Sequence, residues 1–197
     1  MRFIQKMFLA AALAALAVPA LAQSTPSGSR IKDRKENQQD RIANGVADGQ
    51  LTAGETRNLE KKEANLNQEE RDMRKLDNGH LTADDRATLN QQQNQLSRQI
   101  YRDKHNGRVQ NTSPKSEVRK RQENQQDRIA QGIKSGQLTA GEAAHLENRE
   151  ARVNQEIRAD RAANGGKLTA QERAKVNRQE NRNSRAIYRD KHNGRKQ

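Results

Sequence analysis

Two stretches of this sequence recur at a fixed distance, and that repetition constrains the fold more than any other feature. The segment ENQQDRIA occupies 36–43 and 123–130, and IYRDKHNGR occupies 100–108 and 187–195, so both pairs are 87 positions apart. When the two copies are aligned without a gap, about 45 of 73 positions are identical. A long repeat of this kind is typical of a chain built from duplicated structural units. We therefore expect a tandem duplication.

A shorter element repeats inside each copy and predicts where helices begin. The pattern G-x-L-T-A occurs four times, starting at Gly49, Gly79, Gly136 and Gly166. Glycine suits the left-handed residue that closes a helix, and a Thr followed three residues later by an acid forms the capping box that opens the next one. The predicted capping pairs are Thr52 with Glu55, Thr82 with Asp85, Thr139 with Glu142, and Thr169 with Glu172.

The apolar residues that follow these capping boxes have helical spacing. Leu59, Leu66 and Met73 are seven positions apart, and Leu76 stands three further on. No segment alternates between apolar and polar residues, as a half-buried strand would. The sequence therefore predicts an all-α fold in which each copy is a three-helix unit with short turns and a small core. The expected helices are 33–47, 52–76, 82–104, 118–134, 139–163 and 169–191.

The N-terminus has the layout of a secretory signal peptide. Arg2 and Lys6 flank the start of an apolar run, and small residues stand at Ala20 and Ala22, so we expect cleavage after Ala22. Export from a Gram-negative cell would place the protein in the periplasm or outside the cell, with no transmembrane span in the mature chain. The expected divisions are a signal peptide at 1–22, a disordered segment at 23–32, copy 1 at 33–108, a linker at 109–116 and copy 2 at 117–197.

The composition argues against an enzyme and against a cofactor. The chain has no Cys, four His and a formal net charge of +13. The His residues are not spaced as metal ligands, and no nucleophile stands in a recognisable catalytic set. We therefore expect no catalytic residue, no metal and no cofactor. Nucleic acid is not the expected partner either, because acids interleave with the bases and an aromatic content of 2% leaves no platform for base stacking.

The segment DGQLTAGE, at 48–55, resembles the second half of an EF-hand calcium loop. On a twelve-residue frame over 44–55 its glycine and closing glutamate fit, but Val46 stands at position 3, where an oxygen ligand belongs. The resemblance implies a paired helix-loop-helix with Leu51 and Leu81 side by side. We expect a capping turn without metal, and weak calcium binding at this first turn remains open as an alternative.

The two IYRDKHNGR segments contain the candidate binding residues. Each segment ends the third helix of its copy, where positive charge complements the helix dipole. That structural role is one interpretation, and a basic patch for anionic partners, present twice, is the other. The candidate anion-binding residues are Arg102, Lys104, His105, Arg108, Arg189, Lys191, His192 and Arg195.

The elements LTAGE, LTADD and LTAQE are similar to the LTxxQ elements of small periplasmic chaperones of the Spy and CpxP kind. The chain also resembles exported helical repeat proteins of Gram-negative bacteria. The chaperone resemblance implies that the partners are unfolding client proteins. Our main expectation is an exported, non-enzymatic helical binding module for anionic polymers or envelope surfaces. The alternatives are a chaperone or stress-response protein of the Spy and CpxP type and a degenerate EF-hand-like calcium-binding protein.

Overall fold

The computed structural model describes residues 27–109 and 117–196, which form six α-helices and contain no strand. The expected all-α class is confirmed. The signal peptide predicted at 1–22 lies outside the described residues, and so does the predicted linker apart from Val109. The helices are α1 Ser27–Ala47, α2 Ala53–Leu76, α3 Ala83–Lys104, α4 Glu117–Lys134, α5 Ala140–Ala163 and α6 Ala170–Lys191.

Four of the helices begin at a capping box. In the first, the Thr52 hydroxyl accepts a hydrogen bond from the backbone N–H of Glu55 at 3.3 Å, and a Glu55 carboxylate oxygen accepts one from the backbone N–H of Thr52 at 3.0 Å. The same reciprocal pair opens α3, α5 and α6. Gly49, which precedes the first box, has a φ of 67°, a left-handed conformation that a side chain would strain. The sequence thus determines these helix starts locally, because the Thr and acidic side chains of each capping box accept hydrogen bonds from the free backbone N–H groups of the first turn.

The register of the hydrogen bonds gives the helix directions. Gln39 contacts Glu60 and Lys35 contacts Glu70, so α2 runs antiparallel to α1. Helix α3, in contrast, runs parallel to α1. Arg34 donates a hydrogen bond to Asn90, and Arg41, further along α1, donates one to the Ser97 carbonyl, further along α3. Helices α4 to α6 have the corresponding bonds, including those that join Gln126 to Glu147 and Arg128 to Ser184.

Among the described residues, the core consists of four small apolar clusters rather than one large one. This agrees with a sequence that is only 30% hydrophobic. The first cluster contains Ile42, Val46, Leu51, Leu59, Leu96, Ile100 and Ala130; the second contains Ile31, Leu81 and Leu89; the third contains Ala43, Ile129, Ile133, Leu138, Ala143, Leu146, Ala186 and Ile187; and the fourth contains Val118, Val153, Ile157, Leu168 and Val176.

Helices of the first half pack on helices of the second. The most extensive contact joins α2 to α5, and the next joins α1 to α4. Ala43 of α1 belongs to the cluster formed by α4, α5 and α6, whereas Ala130 of α4 belongs to the cluster formed by α1, α2 and α3. These two alanines are 87 positions apart, so the exchange is reciprocal, as it is across a two-fold axis.

The first helix begins earlier than the sequence predicted. Residues 27–32 were expected in a disordered segment, but α1 begins at Ser27. Ile31 is buried in a cluster with Leu81 and Leu89, and this contact with α3 gives the additional turn an apolar anchor. The prediction was wrong because the Ser- and Gly-rich start lacks a local helix signal, while the contact that stabilises it is distant in sequence.

The turns do not pair as the EF-hand resemblance implied. Leu51 and Leu81 lie in different clusters, because their turns stand at opposite ends of α2. A helix of 24 residues is about 36 Å long, so the two leucines are far apart. That implication of the resemblance was wrong, because a helix shared between two turns separates them by its full length.

Candidate functional site

The first IYRDKHNGR segment anchors the C-terminal end of α3 to the start of α2. The side-chain amide of Asn106 donates a hydrogen bond to Glu55 Oε1 at 2.8 Å, and its oxygen accepts one from the backbone N–H of Arg108 at 2.8 Å. The Arg108 guanidinium lies 3.9 Å from the same Glu55 oxygen. The segment therefore completes the surroundings of a capping carboxylate that also binds Thr52.

The second segment has the same arrangement at the start of α5. Asn193 donates to Glu142 Oε1 at 2.7 Å, and a nitrogen of Arg195 lies 3.7 Å from that oxygen. Burial works against ionisation of Glu142, but the hydrogen bonds from Thr139 and Asn193 and the charge of Arg195 together hold its pKa below the ordinary value. The outer faces of both arginines remain open, since Arg108 and Arg195 are 77% and 75% exposed.

The two candidate histidines are engaged with tyrosines one turn earlier. The Nδ1 atom of His105 lies 2.7 Å from the Tyr101 carbonyl oxygen, and the two rings stack with centroids 4.2 Å apart. His192 and Tyr188 repeat this geometry. A carbonyl only accepts hydrogen bonds, so Nδ1 carries the proton and Nε2 of the neutral ring is an acceptor. Contact with an anion through Nε2 therefore requires the doubly protonated ring.

The two candidate lysines are packed against the protein. The methylene chains of Lys104 and Lys191 run past Gly45 of α1 and Gly132 of α4. Burial, together with the charge of Arg128, lowers the pKa of Lys191. Among the predicted residues, Arg102 and Arg189 are thus the exposed cations that do not help to pin a capping carboxylate.

The structure does not bring the two candidate sets together. Helices α3 and α6, which end in them, make no contact with each other within the described residues. Each set therefore forms a patch of its own. The sequence did not indicate that both sets are attached to capping glutamates.

The turn that resembles an EF-hand loop uses its oxygens for structure. The carbonyls of Asn44, Gly45 and Val46 accept hydrogen bonds from the backbone of the turn at 2.9–3.1 Å. Both carboxylate oxygens of Glu55 are engaged as well, one by Thr52 and the other by Asn106. No group of three or more His, Cys, Asp or Glu residues in the described ranges is placed to hold a metal ion.

A group of buried glutamates escaped the sequence analysis. Five carboxyl groups on α2, α5 and α6 are at most 1% exposed: Glu60, Glu63, Glu147, Glu150 and Glu180. Each of them has one oxygen without a hydrogen-bond partner. A carboxylate with an unsatisfied oxygen is costly to bury, and protonation removes most of that cost. The five groups therefore favour the neutral form.

The surroundings of these glutamates raise their pKa values, which also favours the neutral form. Burial raises the pKa of Glu147 to about 8, against the hydrogen bond from Gln126. Burial also raises the pKa of Glu63 to about 7, although Lys35 lies close enough to oppose the shift. Burial and the charges of Glu180 and Glu147 raise the pKa of Glu150.

One sequence signal marks part of this group. Glu60 and Glu63 recur as Glu147 and Glu150, whereas the residues between them differ in the two copies. Two acids three positions apart share one face of a helix, and that face of α2 meets α5. The fifth member, Glu180, corresponds to a glutamine in copy 1, so it has no such signal.

Comparison with protein-family models, with curated proteins and with solved structures finds no match. No helix in the part of the chain that the structure describes is both long enough and apolar enough to cross a membrane. The function must therefore be inferred from the residues and the geometry of this chain.

Proposed function

We propose that this protein is an exported, non-enzymatic tandem duplication of a three-helix unit, and that it binds anionic polymers or envelope surfaces. Export rests on the signal-peptide pattern of residues 1–22. The duplication rests on the 87-residue repeat and on the matching contacts of residues that far apart, such as Asn106 with Glu55 and Asn193 with Glu142.

One observation carries the binding proposal: an exposed cationic helix end is present twice, on helices that do not touch. Arg102 and Arg189 are exposed in the last turn of α3 and of α6, and Arg108 and Arg195 follow six positions later in the sequence. Two separate weak sites on one chain bind a polymer with greater avidity than either site alone, because the second contact is intramolecular. A formal net charge of +13 supports attraction to polyanions.

Retention on immobilised heparin tests the proposal. We expect the protein to elute as ionic strength rises, because salt screens the cations and removes the gain from counterion release. The variant Arg102→Gln with Arg189→Gln should elute at lower salt, since both side chains are exposed and neither supports a cap. Replacing six bases of the two segments should lower the salt concentration at elution further: Arg102, Lys104, Arg108, Arg189, Lys191 and Arg195.

The control removes the same charge elsewhere. Arg71 and Lys75 are exposed on the last two turns of α2, at the opposite end from the cationic end of α3. The variant Arg71→Gln with Lys75→Gln should elute close to the original protein. Equal losses in the two double variants would show that only net charge matters, and no retention of the original protein would end the proposal.

The chaperone alternative is tested by aggregation of a reduced model protein. A chaperone contacts exposed apolar surface of its clients, whereas the exposed large apolar residues among those described stand singly, at Leu76, Tyr101, Val109 and Tyr188. We therefore expect no suppression at low stoichiometry. Suppression that persists at high salt would favour the chaperone over the anion-binding module.

A further inference from the structure

The outer face of α6 carries four arginines at helical spacing. Arg182 follows Arg178 by four positions, and Arg185 and Arg189 follow it by seven and eleven, so the four residues lie on one face of the helix. All four are exposed. With a rise of about 1.5 Å per residue, the set extends over about 16 Å along the helix. We call these four residues the arginine row.

Most of the charge of the arginine row is not neutralised by the protein. Arg178, Arg182 and Arg185 make no hydrogen bond or ion pair through their side chains with any residue that the structure describes. Arg189 is the exception, since its Nε atom lies 3.0 Å from Asp190 Oδ1. No exposed residue of α6 is acidic. Three of the four guanidinium groups are therefore available to an anion from outside.

The helices beside α6 do not cancel this charge. Glu156 of α5 lies 2.6 Å from the ammonium group of Lys175, so this acid is already paired one turn before the row begins. The groove between α4 and α6 contains one exposed acid, Asp127, together with Arg121 and Arg128. The flanks of the row are thus neutral or basic.

The first copy of the repeat does not have this row. On the exposed face of α3, the positions 87 residues earlier hold Gln91, Gln95, Arg98 and Arg102. Two of the four arginines of α6 are therefore glutamines in α3. These positions belong to no apolar cluster and to no capping box, so neither packing nor capping accounts for the difference.

A fifth arginine adds to the charge on the α5 side. In copy 1, Asn65 of α2 and Gln95 of α3 line the same groove. The corresponding positions in copy 2 hold Arg152 and Arg182. Arg152 is exposed and has no hydrogen-bond or ion-pair partner among the described residues. Copy 2 thus has three arginines that copy 1 lacks on this side of the molecule.

We propose that the arginine row binds a linear acidic polysaccharide that lies along α6. The proposal deepens the proposed function and rests on it, since it names the polymer class and makes α6 the stronger of the two contacts. Guanidinium groups bind sulfate and carboxylate groups through paired hydrogen bonds. A single row of cations along a helix complements a linear chain that carries its negative charges at intervals.

Other anionic partners fit this face less well. The bases of a single-stranded nucleic acid stack on aromatic rings, but Tyr188 is the one aromatic residue within Ala170–Lys191, and its ring already stacks on His192. A helix that lies in a membrane surface buries an apolar face, and Tyr188 is also the one large apolar residue exposed on α6. An acidic polysaccharide requires neither feature, because its charged groups make the contact.

Calorimetry on the full-length protein with three probes tests the partner class. The probes are a heparin hexasaccharide, an oligothymidylate of the same net charge, and vesicles of phosphatidylglycerol with phosphatidylcholine. We expect the hexasaccharide to bind most tightly, with an affinity that falls as salt is added. Equal or tighter binding of the oligothymidylate would overturn the polysaccharide and indicate a nucleic acid. Equal or tighter binding of the vesicles would indicate a membrane surface, and no binding of the hexasaccharide would end the proposal.

A pair of double variants locates the site. Arg178→Gln with Arg182→Gln gives α6 the residues that copy 1 has at the same positions. We expect the dissociation constant for the hexasaccharide to rise about tenfold, and the salt dependence of binding to weaken by about one power per cation removed. The matched control, Arg98→Gln with Arg102→Gln, removes two exposed arginines from α3 and should leave this affinity within about twofold. Equal losses in the two variants would overturn the proposal.

A gain-of-function variant tests the row directly. Gln91→Arg with Gln95→Arg builds the four-arginine row on α3, at two exposed positions. We expect the number of hexasaccharides bound by each protein molecule to rise from about one to about two. Unchanged stoichiometry and affinity would show that the row does not make a site. Circular dichroism of each variant establishes that its helices are retained.

Retention on immobilised heparin, measured for the same variants, separates this proposal from the proposed function. If the Arg178→Gln, Arg182→Gln variant binds the hexasaccharide as the original protein does, while the Arg102→Gln, Arg189→Gln variant elutes earlier from heparin, the row is overturned and the two helix ends remain. If instead the first variant loses hexasaccharide binding, while Arg98→Gln with Arg102→Gln leaves heparin retention unchanged, the two-ended function is overturned and the row remains.

Discussion

Glu60 of α2 and Glu147 of α5 are both fully buried where the two halves of the protein meet. Burial raises the pKa of Glu60 well above its ordinary value, and the charges of Glu63 and Glu147 raise it further, against a hydrogen bond from Gln39. Lys35 is the cation that opposes these acids from α1, through Glu63. Because burial outweighs the attraction between Lys35 and Glu63, the carboxyl groups at the junction between the halves favour the protonated form.

Stability should therefore fall as the pH rises from about 5 to about 8. Unfolded glutamates ionise near 4.5, whereas the pKa is about 7 for Glu63 and Glu180 and about 8 for Glu147. Between these values the folded protein holds protons that the unfolded chain releases, so the free energy of unfolding decreases by about 1.4 kcal/mol per pH unit for each such proton. Urea denaturation from pH 5 to pH 8.5 measures this slope.

The double variant Glu60→Gln with Glu147→Gln should flatten that slope, and Glu36→Gln, at an exposed glutamate, should leave it unchanged. Acids with a lowered pKa act in the opposite direction at lower pH. Glu70 is one of them, since hydrogen bonds from Arg74 and Lys35 outweigh its burial. Their contribution is lost below about pH 4, so stability should have a maximum near pH 5. Stability that rose steadily towards pH 8 would show that the buried groups are ionised.

Two glycines stand where helix α1 and helix α4 meet the following turn. A Cβ at Gly45 would lie 2.8 Å from Leu51 side-chain atoms, and one at Gly132 would lie 2.6 Å from Leu138. Substitution by Ala at either site should lower the free energy of unfolding by about 1–3 kcal/mol, as overpacking typically does. Gly54 and Gly141 are the helical controls, because a Cβ there meets nothing within 4 Å, and Ala should be neutral or stabilising. Thermal denaturation of the four variants gives the comparison.

The capping glutamates should not all contribute equally. Glu55→Gln should lower the free energy of unfolding by about 1 kcal/mol, the typical cost of a lost cap. Glu55 also accepts a hydrogen bond from Asn106, whereas Asp85 caps α3 at an exposed turn. Asp85→Asn should therefore cost less. Chemical denaturation measures both, and a larger loss for Asp85→Asn would contradict the contribution of the Asn106 contact.

The first turn should bind calcium no more tightly than about millimolar, the weak end of EF-hand affinities. Its carbonyl oxygens accept backbone hydrogen bonds, and Glu55 is engaged by Thr52 and Asn106. Titration calorimetry with calcium chloride measures the affinity. A micromolar site that disappears in Glu55→Gln would contradict this expectation and restore the calcium-binding alternative.

Five of the six helices were predicted to within one residue of their observed bounds, because capping boxes and glycine turns are local signals. Longer-range packing was not predictable in this way. Leu76 continues the apolar spacing of α2 but is 84% exposed, since it is the last residue of its helix. The recurring pair of acids marks one face of α2 and of α5, but the burial of these acids depends on how the two helices meet, which the pattern within either helix does not specify.

The reciprocal placement of Ala43 and Ala130 has an evolutionary consequence. In a homodimer with this interface, every substitution appears on both sides of the axis, and dilution separates the subunits. Here both sides are encoded separately in one chain, so dilution does not separate them and each side can change alone. Glu70 on one side corresponds to Ile157 on the other, a difference that two identical subunits could not have. The two junctions between the halves are thus free to differ from each other.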